Sequence, residues 1–158
     1  MTVIHTLAWD DLPPRTAYAV MRLRVDVFVV EQECAYPEVD GKDLLPGTEH
    51  VWHVGDGAPR EGEQVAVAAA LRVLEQPGGS RAPRRVGRVV TAPDARGRGL
   101  AGVLLDDVVA RHGDADLVLD AQSHLAGWYG RHGFEVVGDE FLEDGIPHVP
   151  MRRRGTGA

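Results

Sequence analysis

The chain contains a single cysteine, Cys34, so it can close no disulfide within itself. A reducing, cytoplasmic setting is the expectation that follows. Long apolar runs are missing as well. The stretch around Ala66–Leu71 falls far short of the ~20 residues that a membrane span needs. The segment Met1–Asp10 has no basic start followed by an apolar stretch, so no signal peptide is expected. Positive charge is in deficit: the formal net charge is −7. Nucleic acid, which is held by Lys and Arg against phosphates, is therefore not an expected partner. Nor is there a tight cluster of cysteine, histidine and carboxylate, so no metal is expected. His50 and His53, beside Val51 and Trp52 on one predicted strand, are read as facing one side and do not change that.

What is present is an ordinary globular composition, 44% hydrophobic and 26% charged. At this length one domain over residues 1–158 is expected, able to bury roughly 70% of its unfolded surface. The charges are unevenly placed. Arg81, Arg84, Arg85, Arg88, Arg96 and Arg98 crowd one stretch, while acids crowd Glu31–Asp43. The first group suits a polyanion. In the second, Glu33, Glu38, Asp40 and Asp43 read either as a solvated loop or as an attraction for a cation.

Periodicity gives an element order. Val3–Ala8 reads as a strand, and Pro13 and Pro14 open a helix in which Val20, Leu23, Val27 and Val30 recur, ending near Glu31. Glu31–Thr48 is a long connection, of a kind uncommon without a function. Strands follow at His50–Val54, Gln64–Leu74 and Arg85–Thr91. Leu100, Val103, Leu104 and Val108 mark the apolar face of a second helix, and Leu117–Leu119 a buried strand. Ser123 can cap a third helix that Gly133 ends, and Phe134–Val137 and His148–Arg152 close the chain as strands.

The informative stretch is Arg96-Gly97-Arg98-Gly99-Leu100-Ala101-Gly102, between a strand and a helix. Glycines let the backbone approach a ligand closely. The helix start adds unpaired N–H groups and the positive end of its dipole, which together favour a phosphate or pyrophosphate. A Walker A loop would need Gly-Lys-Ser/Thr, and the chain has Gly99-Leu100-Ala101 instead. The dinucleotide pattern Gly-x-Gly-x-x-Gly is met by Gly97, Gly99 and Gly102, with Asp120 near the ribose-contact distance. That pattern should follow its strand almost directly, however, and here Ala92–Arg96 intervenes.

Arg96, Gly99 and Ala101 also spell Arg-x-x-Gly-x-Ala, which resembles the pyrophosphate loop of the GNAT superfamily of N-acetyltransferases. Trp128-Tyr129-Gly130-Arg131-His132-Gly133-Phe134 resembles that family's second signature. Phe28–Cys34, Tyr36–Gly41, Gly87–Val89, Ala121–Leu125 and Glu143–His148 are similar to its ElaA-like subgroup. Together these cover nearly the whole chain.

The resemblance implies an α/β fold: a mixed, mostly antiparallel sheet with a central parallel βαβ unit and helices on both faces. It implies acetyl-CoA as acyl donor, with Arg88, Val89, Val90, Arg96, Gly97, Arg98, Gly99, Leu100, Ala101, Gln122 and Tyr129 at the cofactor. The pantetheine arm would lie between parting parallel strands. Tyr129 would be the general acid toward the departing thiolate. Family members often carry a glutamate base on the fourth strand, where this chain has Arg88 and valines. Glu31 and His124 are the candidate bases, and Glu31 and Glu33 the candidate acceptor contacts. The implied reaction is direct attack of a small-molecule or peptide amine on the thioester, by a monomer or homodimer. A non-catalytic acyl-CoA sensor of the same fold is the alternative, and a dinucleotide-binding protein a remote one.

Overall fold

The computed structural model describes residues 3–157, so the first two residues of the Met1–Asp10 segment lie outside the described residues. The elements are β1 (Ile4–Leu7), α1 (Pro14–Arg24), β2 (Glu49–Val54), β3 (Val67–Glu75), β4 (Arg84–Thr91), α2 (Leu100–His112), β5 (Leu117–Gln122), α3 (Ala126–Gly130), β6 (Glu135–Val136), β7 (Phe141–Glu143) and β8 (Ile146–Arg153). They form one eight-stranded sheet in the order β1-β2-β3-β4-β5-β8-β6, with β7 also paired to β8. Every pairing is antiparallel except β4 with β5.

Helices cover both faces. Leu23, Val20 and Val27 pack with Trp52, Ala70 and Val90 on one side. Leu104, Leu105 and Val108 of α2 pack with Val51, Leu71, Val86 and Leu117 on the other. Leu105 takes a core place, while Val103, assigned to that face by spacing, is 37% exposed. Val51 and Trp52 thus belong to opposite cores. In a strand the side alternates at every residue, so His50 and His53, three apart, also face opposite ways, against the reading that put them on one side.

The first helix does not run regularly to Glu31. From Val25 to Glu31 it widens into a π-helical segment, with Gln32 N–H donating to Val27 O (3.0 Å) and Cys34 N–H to Val29 O (3.2 Å), each five residues back. Four β-branched valines crowd a regular helix here. The wider turn carries Phe28 and Gln32 to the wall of the main cavity. Nor is the third helix capped by Ser123: that residue opens a 3-10 turn, Ser123–Leu125, and its hydroxyl donates to Glu140 (2.8 Å). The short strand β7 is absent from the sequence reading.

The long connection after Glu31 is only partly a solvated loop. Glu38 and Asp43 are buried, fastened by arginines from the sheet and α1. Arg24, 1% exposed, donates from Nε to Glu38 (2.6 Å) and from Nη1 to Asp43 (2.7 Å). Arg72 donates to Asp40 (2.7 Å) and Asp43 (3.2 Å), and Arg88 to Glu38 (3.0 Å) and Asp40 (3.3 Å). Buried charges are tolerable only when paired and hydrogen-bonded. Three guanidiniums against three carboxylates meet that condition. Their mutual neutralisation leaves Glu38, Asp40 and Asp43 little field with which to attract a cation.

Candidate active site

The site begins where two strands part. β4 and β5 pair only at Arg84–Leu117 and Arg85–Val118, after which no further pair joins them. Against β3, the register of β4 shifts between Ala70–Val90 and Arg72–Gly87, so β4 bulges at Arg88 and Val89. Arg88 takes a positive φ of 52° there, a conformation rare for a residue with a Cβ. A cavity of about 570 Å³ opens at this divergence, lined by Gly87, Arg88 and Val89 from β4, by Asp120 and Gln122 from β5, and by Tyr129. Val90, by contrast, is buried in the α1-side core.

The glycine loop lies beyond the end of β4. Gly97 and Gly99 have φ of 76° and 72°, and a Cβ on either would meet nothing within 4 Å. Their demand for glycine is therefore conformational, and the space above them is open. Gly99 precedes α2 without a side-chain cap, so the first N–H groups of Leu100 and Ala101 receive no cap bond. Gly102 is a different case: a Cβ there would lie 3.3 Å from the His132 ring, so this glycine serves packing. The arginines of the loop are engaged. Arg96 grips Glu31 with two hydrogen bonds of 2.6 Å, and Arg98 donates to Asp56 (2.9 Å).

Tyr129 is buried against Trp128 and Phe134, with ring centroids at 4.8 and 6.1 Å in edge arrangements. Burial pushes its phenol up to about 12, so it keeps its proton. Gln122 donates to the Gln32 side chain (3.3 Å) across the cavity wall, joining β5 to the π-helical segment.

The remaining candidates stand apart. Glu31 is exposed, and the hydrogen bond from Arg96 lowers its pKa, the wrong direction for a base. Glu33 is exposed at a φ of 53°. His124 is exposed in the 3-10 turn before α3. None of the three is among the residues lining the cavity.

The cavity brings in residues that sequence reasoning left without a role, Tyr36, Cys34, Asp144 and His148, together with Arg85 from the arginine-rich stretch. His148 stands opposite Gln122 on the strand beside β5, a pairing that no local pattern encodes. Arg85 donates to Asp120 (3.1 Å), and Cys34 Sγ to Asp144 O (3.4 Å), which ties the loop to the β7–β8 turn. Among the described residues, no group of three or more His, Cys, Asp or Glu is disposed to hold a metal ion. Among the described residues, no helix is long and apolar enough to cross a membrane.

Comparison with known proteins agrees with this geometry. Residues 60–154 match the family model of the acetyltransferase (GNAT) domain. A UPF0039 protein of Mycobacterium tuberculosis is 47% identical over 99% of this chain and 97% of its own length. The crystal structure of Escherichia coli ElaA superposes with a TM-score of 0.84 at 30% identity, covering 98% of this chain and all of that one. An acyl-CoA N-acyltransferase of Pseudomonas aeruginosa gives 0.82 at 38% identity, covering 97% and 99%. With the parted strands, the glycine loop and these relatives in agreement, the chain belongs to the GNAT acetyltransferase family, as an acyltransferase of its ElaA-like, UPF0039 group.

Proposed function

We propose that the protein transfers the acetyl group of acetyl-CoA to a primary amine, by direct attack within a ternary complex. The observation that carries this reading is the parting of β4 and β5 at the Arg88 bulge, with Tyr129 in the wall of the same cavity. The gap leaves main-chain groups of Val89 without a β5 partner, free to pair with an extended pantetheine arm, whereas Val90 is paired with Ala70 of β3. The open glycine loop supplies N–H groups to the pyrophosphate. A main-chain N–H at the bulge polarises the thioester carbonyl.

The role of Tyr129 in this scheme is to protonate the departing thiolate. Its raised pKa keeps the proton in place until sulfur carries charge. The contribution is modest, because a thiol of pKa about 8.5 already leaves well. Positioning of the two reactants supplies the larger part. Arg96 lies at the mouth of the loop and would have to leave Glu31, which holds it with two hydrogen bonds, to meet the cofactor's phosphates. Acceptors of this class are ammonium ions at neutral pH, and freeing the lone pair of an alkylamine costs roughly 4–5 kcal/mol.

The test is thermal unfolding with acetyl-CoA, CoA and NADH side by side. A ligand at 100 times its Kd adds ~2.7 kcal/mol to stability. A shift with both CoA species and none with NADH supports the cofactor. Thiol release with a panel of primary amines then tests the transfer, and binding without release would mark an acyl-CoA sensor. No shift with millimolar CoA or acetyl-CoA would remove the reading.

A further inference from the structure

We propose that His148 is the general base that takes the proton from the acceptor ammonium. This rests on the amine-transfer reading above and supplies the group that reading lacks.

The titratable groups of the cavity narrow the choice. Asp40 is held by Arg72 and Arg88, and its pKa is lowered: burial pushes it up, but the Arg72 hydrogen bond and its neighbours outweigh that. Asp120 is paired with Arg85. Tyr36 donates its hydroxyl hydrogen bond to Glu38, and burial first, then that bond, raises its pKa. Cys34 points its thiol at the Asp144 carbonyl. His148 is the one histidine among the residues described as lining the cavity.

The ring of His148 is set up for the task. Nδ1 lies 2.7 Å from the Ile146 carbonyl oxygen. A carbonyl oxygen can only accept, so Nδ1 carries the hydrogen and neutral His148 keeps its lone pair on Nε2. Phe141 stacks on the ring at 5.9 Å and 24°, fixing its plane. Directly opposite residues of an antiparallel pair share a face, so His148 stands with Gln122 where β5 leaves β4. The side chain is 12% exposed.

The charged group facing Nε2 is Glu143 of β7, whose Oε2 lies 3.7 Å away. That is too long for a hydrogen bond, so Nε2 has no hydrogen-bond partner in Glu143. On the other side, β5 offers the neutral Gln122. Asp144, in the β7–β8 turn, and the Asp120–Arg85 pair line the same cavity.

The step balances. The ammonium proton passes to Nε2, and the freed nitrogen lone pair attacks the thioester carbon. The C–S bond then breaks with its electron pair on sulfur, and the thiolate takes the Tyr129 proton. The second proton lost by nitrogen, as the amide forms, restores Tyr129. His148 returns the first to solvent.

The experiment compares wild type with His148→Gln and His148→Asn, using acetyl-CoA and two kinds of acceptor. One is the best alkylamine of a primary-amine panel. The other is methoxyamine, which is already unprotonated at neutral pH. The expected result is a fall of about 10²–10³-fold in kcat/KM for the alkylamine at neutral pH, within the range of a lost general base. The loss should shrink as pH rises and be absent for methoxyamine, with the acetyl-CoA thermal shift unchanged. Equal losses on both acceptors, or no loss, would overturn the base. If neither variant folds, imidazole ¹⁵N chemical shifts of the wild type decide: an Nε2–H tautomer at neutral pH overturns the proposal, and an Nδ1–H tautomer supports it. A wild type that binds acetyl-CoA but acetylates no amine overturns the transfer reading, and the base with it.

Discussion

The guanidinium of Arg88 lies 2.9 Å from the carboxylate of Glu38, although fifty residues separate them. One partner sits on the bulge that opens the cavity, the other in the buried part of the long connection. The same guanidinium stacks over Tyr36, 5.5 Å from the ring centroid. The loop therefore holds the bulge in place, and the bulge holds the loop over the cavity.

Arg88→Ala should expose that dependence. Glu38 keeps Arg24, so no carboxylate is left wholly unpaired. We expect a loss of about 1.5–3 kcal/mol, the range for hydrogen bonds to charged groups. The acetyl-CoA KM should rise, because the bulge would no longer be tethered. Urea unfolding and steady-state kinetics measure the two effects. An unchanged KM would mean that β3 alone fixes the bulge.

The carboxylate network also sets the acid limb of stability. For Asp40 and Asp43, burial pushes the pKa up, but the arginines outweigh it and hold both below the ordinary 3.8. A depressed carboxylate contributes stability that is fully present above its unfolded pKa and is lost as pH falls through the folded one. His50 and His53 are lowered from 6.5, chiefly by burial. Their contribution is present above 6.5 and begins to be lost below it. The melting temperature should therefore hold above neutral pH, decline gently below about 6.5 and fall steeply below about 4. In Arg72→Met the steep limb should weaken, because Asp40 loses its main partner. A melting series from pH 8 to 3 on both proteins decides the matter.

Much of this was legible in the sequence, for identifiable reasons. A helix that buries one face announces itself by period, as Leu100–Val108 does, and a buried strand by a continuous apolar run, as Leu117–Leu119 does. The glycine loop announces itself because positive φ at Gly97 and Gly99 restricts the residue type. The parting of β4 from β5 was not legible from pattern alone, since it depends on where pairing stops. Nor was the pairing of the two charge clusters. The arginines and the acids stand out separately in the chain, but Arg88 of the first group finds Glu38 and Asp40 of the second, and Arg24 and Arg72 from outside both stretches complete the network, only through tertiary contacts spanning 14 to 50 residues. His148 escaped for the same reason.

Two glycines of this stretch, Gly99 and Gly102, should separate by role. Gly99→Ala forces a Cβ into left-handed backbone, at a cost of roughly 1–2 kcal/mol, although the space itself is open. Any adjustment moves the N–H groups at the start of α2, so acetyl-CoA affinity should drop along with stability. Gly102→Ala instead presses on His132, whose ring is 3.3 Å away, next to Trp128. It should lower the melting temperature with a smaller effect on affinity. Calorimetric titration with CoA beside thermal melts makes the comparison. Equal affinity losses for the two would remove the distinction between an anion-binding glycine and a packing one.

Tyr129→Phe isolates proton donation from packing. The ring is buried between Trp128 and Phe134, and phenylalanine fills the same space. Fold and CoA affinity should therefore survive. Turnover should fall by about tenfold to a hundredfold, at or below the low end for general acid–base groups, because the thiolate leaves without much help. The pH profile carries a second mark. Burial raises the phenol to about 12, so wild-type turnover should show no alkaline loss from Tyr129 below that pH. A loss near pH 10 would place the hydroxyl in a wetter site than the cavity wall provides. An unchanged turnover in the variant would take the proton from Tyr129 altogether and leave the departing thiolate to solvent.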